Sequence, residues 1–163
     1  MEPDVPRASR HRDAGYGFQA WKATGLPVTR DPSQPAPAKF KSKPRADIRV
    51  DAESIKARMG DPAFVVIDAR TAQEHMQAKI PDSVLLNWED GVGQSGSAFL
   101  GGEDLKKEFE KNGITPDKEV VCYCHSGMRA SYKYMQLKIA GYDNVKLYDG
   151  SIIDWAMRRN PIR

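Results

Sequence analysis

The chain has 163 residues, 40% of them hydrophobic and 29% charged, and a net charge of +3. That length suits one ordinary domain with a real core, and so small a net charge gives no basis for nucleic-acid binding while suiting a site for small anions. No run approaches the roughly 18 apolar residues that a membrane helix needs.

The N-terminal stretch through Tyr16 lacks the apolar core of a signal peptide. The expected setting is therefore cytoplasmic, or periplasmic where a signal has been removed, and the expected state is a monomer. Residues 1–46 hold seven of the eleven prolines in a polar, basic setting. Residues 1–14 are expected to be disordered, and 31–37 reads as an extended linker. Gly17-Phe18-Gln19-Ala20-Trp21 is followed by Pro27-Val28, six residues after the Trp. Near the C-terminus Gly150-Ser151-Ile152-Ile153-Asp154-Trp155 is followed by Pro161-Ile162 at the same distance. One short match is a weak internal echo.

From residue 47 onward short β-rich runs alternate with helical patterns. Residues 48–50 predict a short edge strand, and Asp51 predicts the cap of a helix running to about Met59 and ended by Gly60. Strands are predicted at 64–67, 84–86, 120–123 and 145–148. Further helices are predicted from Glu103 to Lys111 and from Ala130 to Ile139. This alternation predicts an α/β fold, a parallel sheet of about five strands with helices on both faces. In such sheets the site lies at the carboxyl ends of the strands.

Cys122 and Cys124 stand too close for an unstrained disulfide, and with His125 they are too few for a structural zinc site. No metal or cofactor is expected. A reactive thiol is the better use. Cys124 follows an apolar strand that ends at Tyr123, and after it come a turn containing Gly127 and then Arg129 at the start of a helix. Backbone N–H groups at such a helix start stabilise negative charge. Together with Arg129 they are expected to lower the Cys124 pKa, by about one unit or more. Gly127 permits the backbone angle of a tight turn. Cys122, in mid-strand, reads as a buried structural residue.

These residues resemble a known family. Residues Cys124 to Ser131 resemble the active-site loop of rhodanese sulfurtransferases. Val66-Ile67-Asp68-Ala69-Arg70 with Glu74-His75, then Ile80 to Asn87, then Tyr148-Asp149-Gly150-Ser151 with Trp155, resemble three further family segments in order. The resemblance covers 47–163, which is read as the catalytic domain. It extends to 15–31, which resembles the closing segment of a preceding rhodanese domain. Four residues lie between Cys124 and Arg129; the related phosphatases and arsenate reductases have a longer loop, which counts against an oxyanion enzyme.

The resemblance implies double displacement through a persulfide on Cys124, with thiosulfate as donor and cyanide or a thiol as acceptor. It implies Cys124 and Arg129 as catalytic residues. Arg70, His125, Ser126, Gly127 and Met128 would bind the donor, Asp68 would order the loop, and Trp88 would wall the pocket. Lys79 is a weaker binding candidate, and His75 reads as a surface residue. The sequence also departs from the pattern. Asp82-Ser83 replaces Gly-Ala, Glu74 stands where tandem thiosulfate enzymes often carry a second arginine, and His125 fits neither of the two donor types. Two alternatives therefore stay open: a 3-mercaptopyruvate sulfurtransferase, and a non-enzymatic persulfide carrier or redox-sensing module.

Overall fold

A computed structural model describes residues 18–23, 25–34, 36–39, 41, 46–93 and 99–163. The stretch expected to be disordered, 1–14, lies outside the described residues. Four strands form one parallel sheet: β1 (Phe64–Asp68), β2 (Val84–Leu85), β3 (Glu119–Tyr123) and β4 (Val145–Leu147), in the order β2-β1-β3-β4. Phe64 pairs with Glu119 and Asp68 with Tyr123, so the two central strands end side by side.

The expected fifth strand at 48–50 contracts to one bridge, between Arg49 and Leu147. Residues 46–48 wind into a 3-10 turn and Asp51 opens a helix, which leaves only two residues between them in which to extend.

Local chemistry sets the helices. Asp51 caps α2 (Ala52–Ala57) by accepting from the Ser54 N–H at 2.9 Å, and Gly60 follows at φ +83°. Thr71 and Glu74 form a reciprocal capping box on α3 (Ala72–Gln77). Helices α4 (Gly102–Lys111) and α5 (Met128–Ile139) match the sequence pattern to within two residues at either end. The last helix, α6, covers Ser151–Met157.

Strand periodicity divides the core. Val120, Cys122 and Cys124 face a cluster with Leu105 and Phe109 of α4 and Leu137 of α5. Val121 and Tyr123 face the other side, with Ile55 of α2 and Ile152 and Trp155 of α6. Helices therefore cover both faces, and Cys124 enters at the rim of the first layer.

The echo has a structural counterpart. A first short helix, α1, spans Phe18–Ala23. The Trp21 indole donates to the Pro27 carbonyl at 3.0 Å, as the Trp155 indole donates to Pro161 at 2.7 Å. A left-handed residue stands four positions after each Trp, Gly25 at φ +75° and Arg159 at φ +56°. The burial differs: Trp155 is 0% exposed and Trp21 is 45% exposed.

One core residue is out of character. Lys133 of α5 is 2% exposed, with its ammonium 5.7 Å from the centre of the Phe109 ring. Burial pushes its pKa down to about 8, against the opposing pull of Asp90, Cys122 and Glu108. The unfolded chain holds this proton more tightly, so stability should rise as pH climbs from about 8 towards 10.5. Lys133→Met is expected to raise stability at neutral pH by about 1–3 kcal/mol and to remove that rise. Denaturant melts of both forms across this pH range check it; a destabilised Lys133→Met would contradict it.

Candidate functional site

The loop from Cys124 to Arg129 joins β3 to α5. Cys124 is 1% exposed, and its Sγ accepts the Gly127 N–H at 3.2 Å. Gly127 caps α5 at φ +93°. A Cβ there would lie 2.8 Å from the Asp149 carbonyl oxygen, so both conformation and space require glycine. The turn thus lays the start of a 12-residue helix against the sulfur, with the Gly127 N–H aimed at it.

The closing segment supports the cysteine from behind. The Ser151 hydroxyl oxygen accepts the Cys124 N–H at 3.0 Å and lies 4.0 Å from Sγ. Its own proton reaches the Tyr148 carbonyl at 2.9 Å. Ser151 is fully buried and stands at φ +54°, a strained setting for a side chain that is sustained by its neighbours. The Ile152 N–H donates to the Cys124 carbonyl at 3.1 Å and the Ile153 N–H to the His125 carbonyl at 3.4 Å.

Arg129 does not stand alone. Its two terminal nitrogens bond both oxygens of Glu74 at 2.7 Å each. That fork holds the Glu74 carboxyl at about 2, well below the ordinary range. Arg129 is held in its charged form, first by Glu74 and further by the Cys124 charge.

Arg70 is 4% exposed. Its Nε and one terminal nitrogen donate to Asp68 at 2.9 and 2.6 Å, and the same terminal nitrogen reaches the Ala78 carbonyl at 2.6 Å. The donor-binding role expected of it is thus met by a side chain turned into the protein. Asp68 also accepts from the Tyr123 hydroxyl at 2.8 Å and pairs with His75 Nδ1 at 2.9 Å. Burial alone would raise the Asp68 pKa; hydrogen bonds from Arg70, His75 and Tyr123 outweigh it and keep the carboxyl below its ordinary value. His75 is therefore no plain surface residue: its ring bridges Asp68 and the Lys79 ammonium, which lies 3.3 Å from Nε2.

The remaining loop residues form the rim. His125, Ser126 and Met128 are exposed, Met128 at 76%. Trp88 is half-buried, with its ring edge-on to Tyr132 at 5.2 Å and its carbonyl bonded by Gln136 at 2.8 Å. Cys122 is fully buried, and burial pushes its thiol to about 12. Among the described residues no group of three or more His, Cys, Asp or Glu could hold a metal, and no helix is long and apolar enough to cross a membrane.

Sequence reasoning missed Glu74 and Ser151 as site residues. Both carried a local sign: Thr71-x-x-Glu74 is a capping-box pattern, and Ser151 sits in the closing segment beside Gly150.

A buried cysteine cradled by a six-residue turn at the carboxyl end of a parallel sheet defines a class of sulfur-handling folds, and comparison with known proteins agrees. The model of the rhodanese-like domain matches residues 51–158, and the chain belongs to that family. A probable 3-mercaptopyruvate sulfurtransferase of Pseudomonas aeruginosa is 33% identical over 160 residues, 88% of this chain and 55% of the relative. A thiosulfate sulfurtransferase of Azotobacter vinelandii is 29% identical, over 93% of this chain and 59% of the relative. The chain thus spans little more than half the length of these relatives. An EanB variant in complex with ergothioneine shares the fold, with a TM-score of 0.82 at 20% identity, over 91% of this chain and 39% of that one.

Gly127→Ala tests the cradle. Gly113 is also left-handed, at φ +73°, but a Cβ there meets nothing within 4 Å. Each alanine carries a conformational penalty of about 1–2 kcal/mol, and Gly127→Ala adds the clash with Asp149. Urea melts should show Gly127→Ala losing at least about 1 kcal/mol more than Gly113→Ala. Equal losses would mean that the loop does not pack as described.

Proposed function

We propose that the chain is a sulfurtransferase that carries sulfane sulfur as a persulfide on Cys124. The observation that supports this most is the Gly127 N–H at 3.2 Å from Sγ at the start of α5. A donor held there favours the anionic sulfur both before and after transfer.

The proposed donor is thiosulfate. The Cys124 thiolate attacks its outer sulfur, a new S–S bond forms, and the old S–S pair leaves with sulfite. The negative charge stays on the outer sulfur of the persulfide. Cyanide or a thiolate then attacks that sulfur, and the electron pair returns to Cys124. Backbone groups of His125, Ser126, Gly127 and Met128 line the path of the anion, Arg129 supplies fixed charge, and Trp88 walls the rim. We assign Arg70 and Asp68 to positioning, because their charges satisfy each other. No nucleic acid, membrane, metal or cofactor enters the reaction, and the chain acts as a monomer.

3-Mercaptopyruvate is the second donor reading, favoured by the Pseudomonas aeruginosa relative. We further infer that 15–31 corresponds to the closing segment of a preceding rhodanese domain, a reading supported by the Trp21–Pro27 bond, which copies that of Trp155 and Pro161.

Thiocyanate formation from thiosulfate and cyanide tests the main reading. Wild type should turn over, and Cys124→Ser should fall by at least about a thousandfold. Comparable activity in both would remove Cys124 from the chemistry.

A further inference from the structure

The cradle around Cys124 offers the sulfur a hydrogen-bond donor, the Gly127 N–H. A backbone donor favours an anionic sulfur but cannot take up a proton. The other polar groups around the loop are engaged. Glu74 holds both terminal nitrogens of Arg129, and Asp68 holds Arg70. The two ring nitrogens of His75 meet Asp68 and Lys79. The Ser151 hydroxyl accepts the Cys124 N–H and donates to the Tyr148 carbonyl. His125 differs. It directly follows Cys124, it is exposed, and among the described residues its imidazole enters no hydrogen bond or ion pair. Its carbonyl is tied to the Ile153 N–H at 3.4 Å, so the backbone is held next to the sulfur while the ring keeps both nitrogens open.

Transfer to a thiol requires a proton to move. An acceptor R–SH is mostly protonated at neutral pH, and its thiolate would meet the persulfide anion as a like charge. We propose that His125 is the acid–base residue of the second half-reaction, and that the acceptor it serves is a thiol that arrives protonated. A ring nitrogen takes the proton from R–SH, and the thiolate attacks the outer sulfur of the Cys124 persulfide. The bond between that sulfur and Sγ breaks, and its electron pair returns to Cys124. The imidazolium then hands the proton to the outer sulfur. The products are R–S–SH and the Cys124 thiolate, so one negative charge enters and one remains, with no outside oxidant or reductant. Imidazole suits this role because it gives and takes a proton near neutral pH. Cyanide makes no such demand: it attacks as an anion and leaves as the thiocyanate anion. The proposal rests on the sulfur-transfer reading and deepens its acceptor side.

The test compares two acceptors on one loaded protein. Wild type, His125→Gln and His125→Ala are loaded with sulfur from thiosulfate or 3-mercaptopyruvate, freed of donor, and mixed with 2-mercaptoethanol or with cyanide. Loss of the Cys124 persulfide is followed by mass over a single turnover. The quantity read is the ratio of the thiol rate to the cyanide rate, in which any change common to both acceptors cancels. Both variants should lower that ratio by about a hundredfold or more. Added imidazole should restore part of the thiol rate in His125→Ala without quickening the cyanide step. A smaller fall in the ratio overturns the proposal, and so does imidazole that rescues neither acceptor or both alike. A variant that takes up sulfur from neither donor, while wild type does, places His125 in loading and overturns it as well. If wild type itself takes up no sulfur, the sulfur-transfer reading fails and the proposal falls with it. If wild type loads and transfers while the ratio is unmoved, the role of His125 alone falls.

Discussion

The carboxylate of Asp68 sits fully buried at the end of the central strand, and the site is assembled around it. It accepts from the Arg70 N–H at 3.0 Å, from the Arg70 guanidinium, from Tyr123 and from His75. Tyr123 is the last residue of β3, one before Cys124, and its hydroxyl also receives the Ile80 N–H at 3.2 Å. His75 is on α3, one residue after Glu74. A single anion thereby fixes β1 to β3, the start of α3 to the sheet, and the 80–83 turn to both. Removing it would leave Arg70 buried and unpaired, a loss of about 3–5 kcal/mol.

From that anchor a second ion pair reaches the reactive loop. With α3 held by His75, Glu74 faces Arg129, and the loop is gripped at its far end while Ser151 grips it at the cysteine. The sulfur rests between a helix start and a buried hydroxyl. These contacts come from four separate stretches of chain, so the geometry belongs to the fold and not to the loop alone. Rigid support of this kind keeps a nucleophile oriented without cost at the moment of reaction.

The strands were legible because buried parallel strands read as short apolar runs, as at 64–67 and 120–123. Asp51, Gly60 and Gly127 were legible because capping and left-handed turns need few residue types. The edge at 48–50 misled because an apolar pair beside a capping Asp looks the same in a strand as in a one-residue bridge. Ion pairs were the least legible. Glu74 and Arg129 are 55 positions apart, and no local pattern says that one will hold the other. Arg70 looked available for a ligand because sequence cannot show that Asp68, two residues away, turns inward with it. Asp82 is a milder case: it stands at φ +60°, the conformation glycine favours, which explains the glycine of the family pattern and the tolerance of Asp in its place.

The central claim is that Cys124, and not Cys122, carries the transferred sulfur. The most direct measurement is the intact mass of the protein after brief exposure to a sulfane-sulfur donor, with peptide mapping of the two cysteines. The account predicts a gain of one sulfur atom on Cys124, removed by cyanide or a reducing thiol and absent from Cys124→Ser. No gain with either thiosulfate or 3-mercaptopyruvate, or a gain that maps to Cys122, would contradict it.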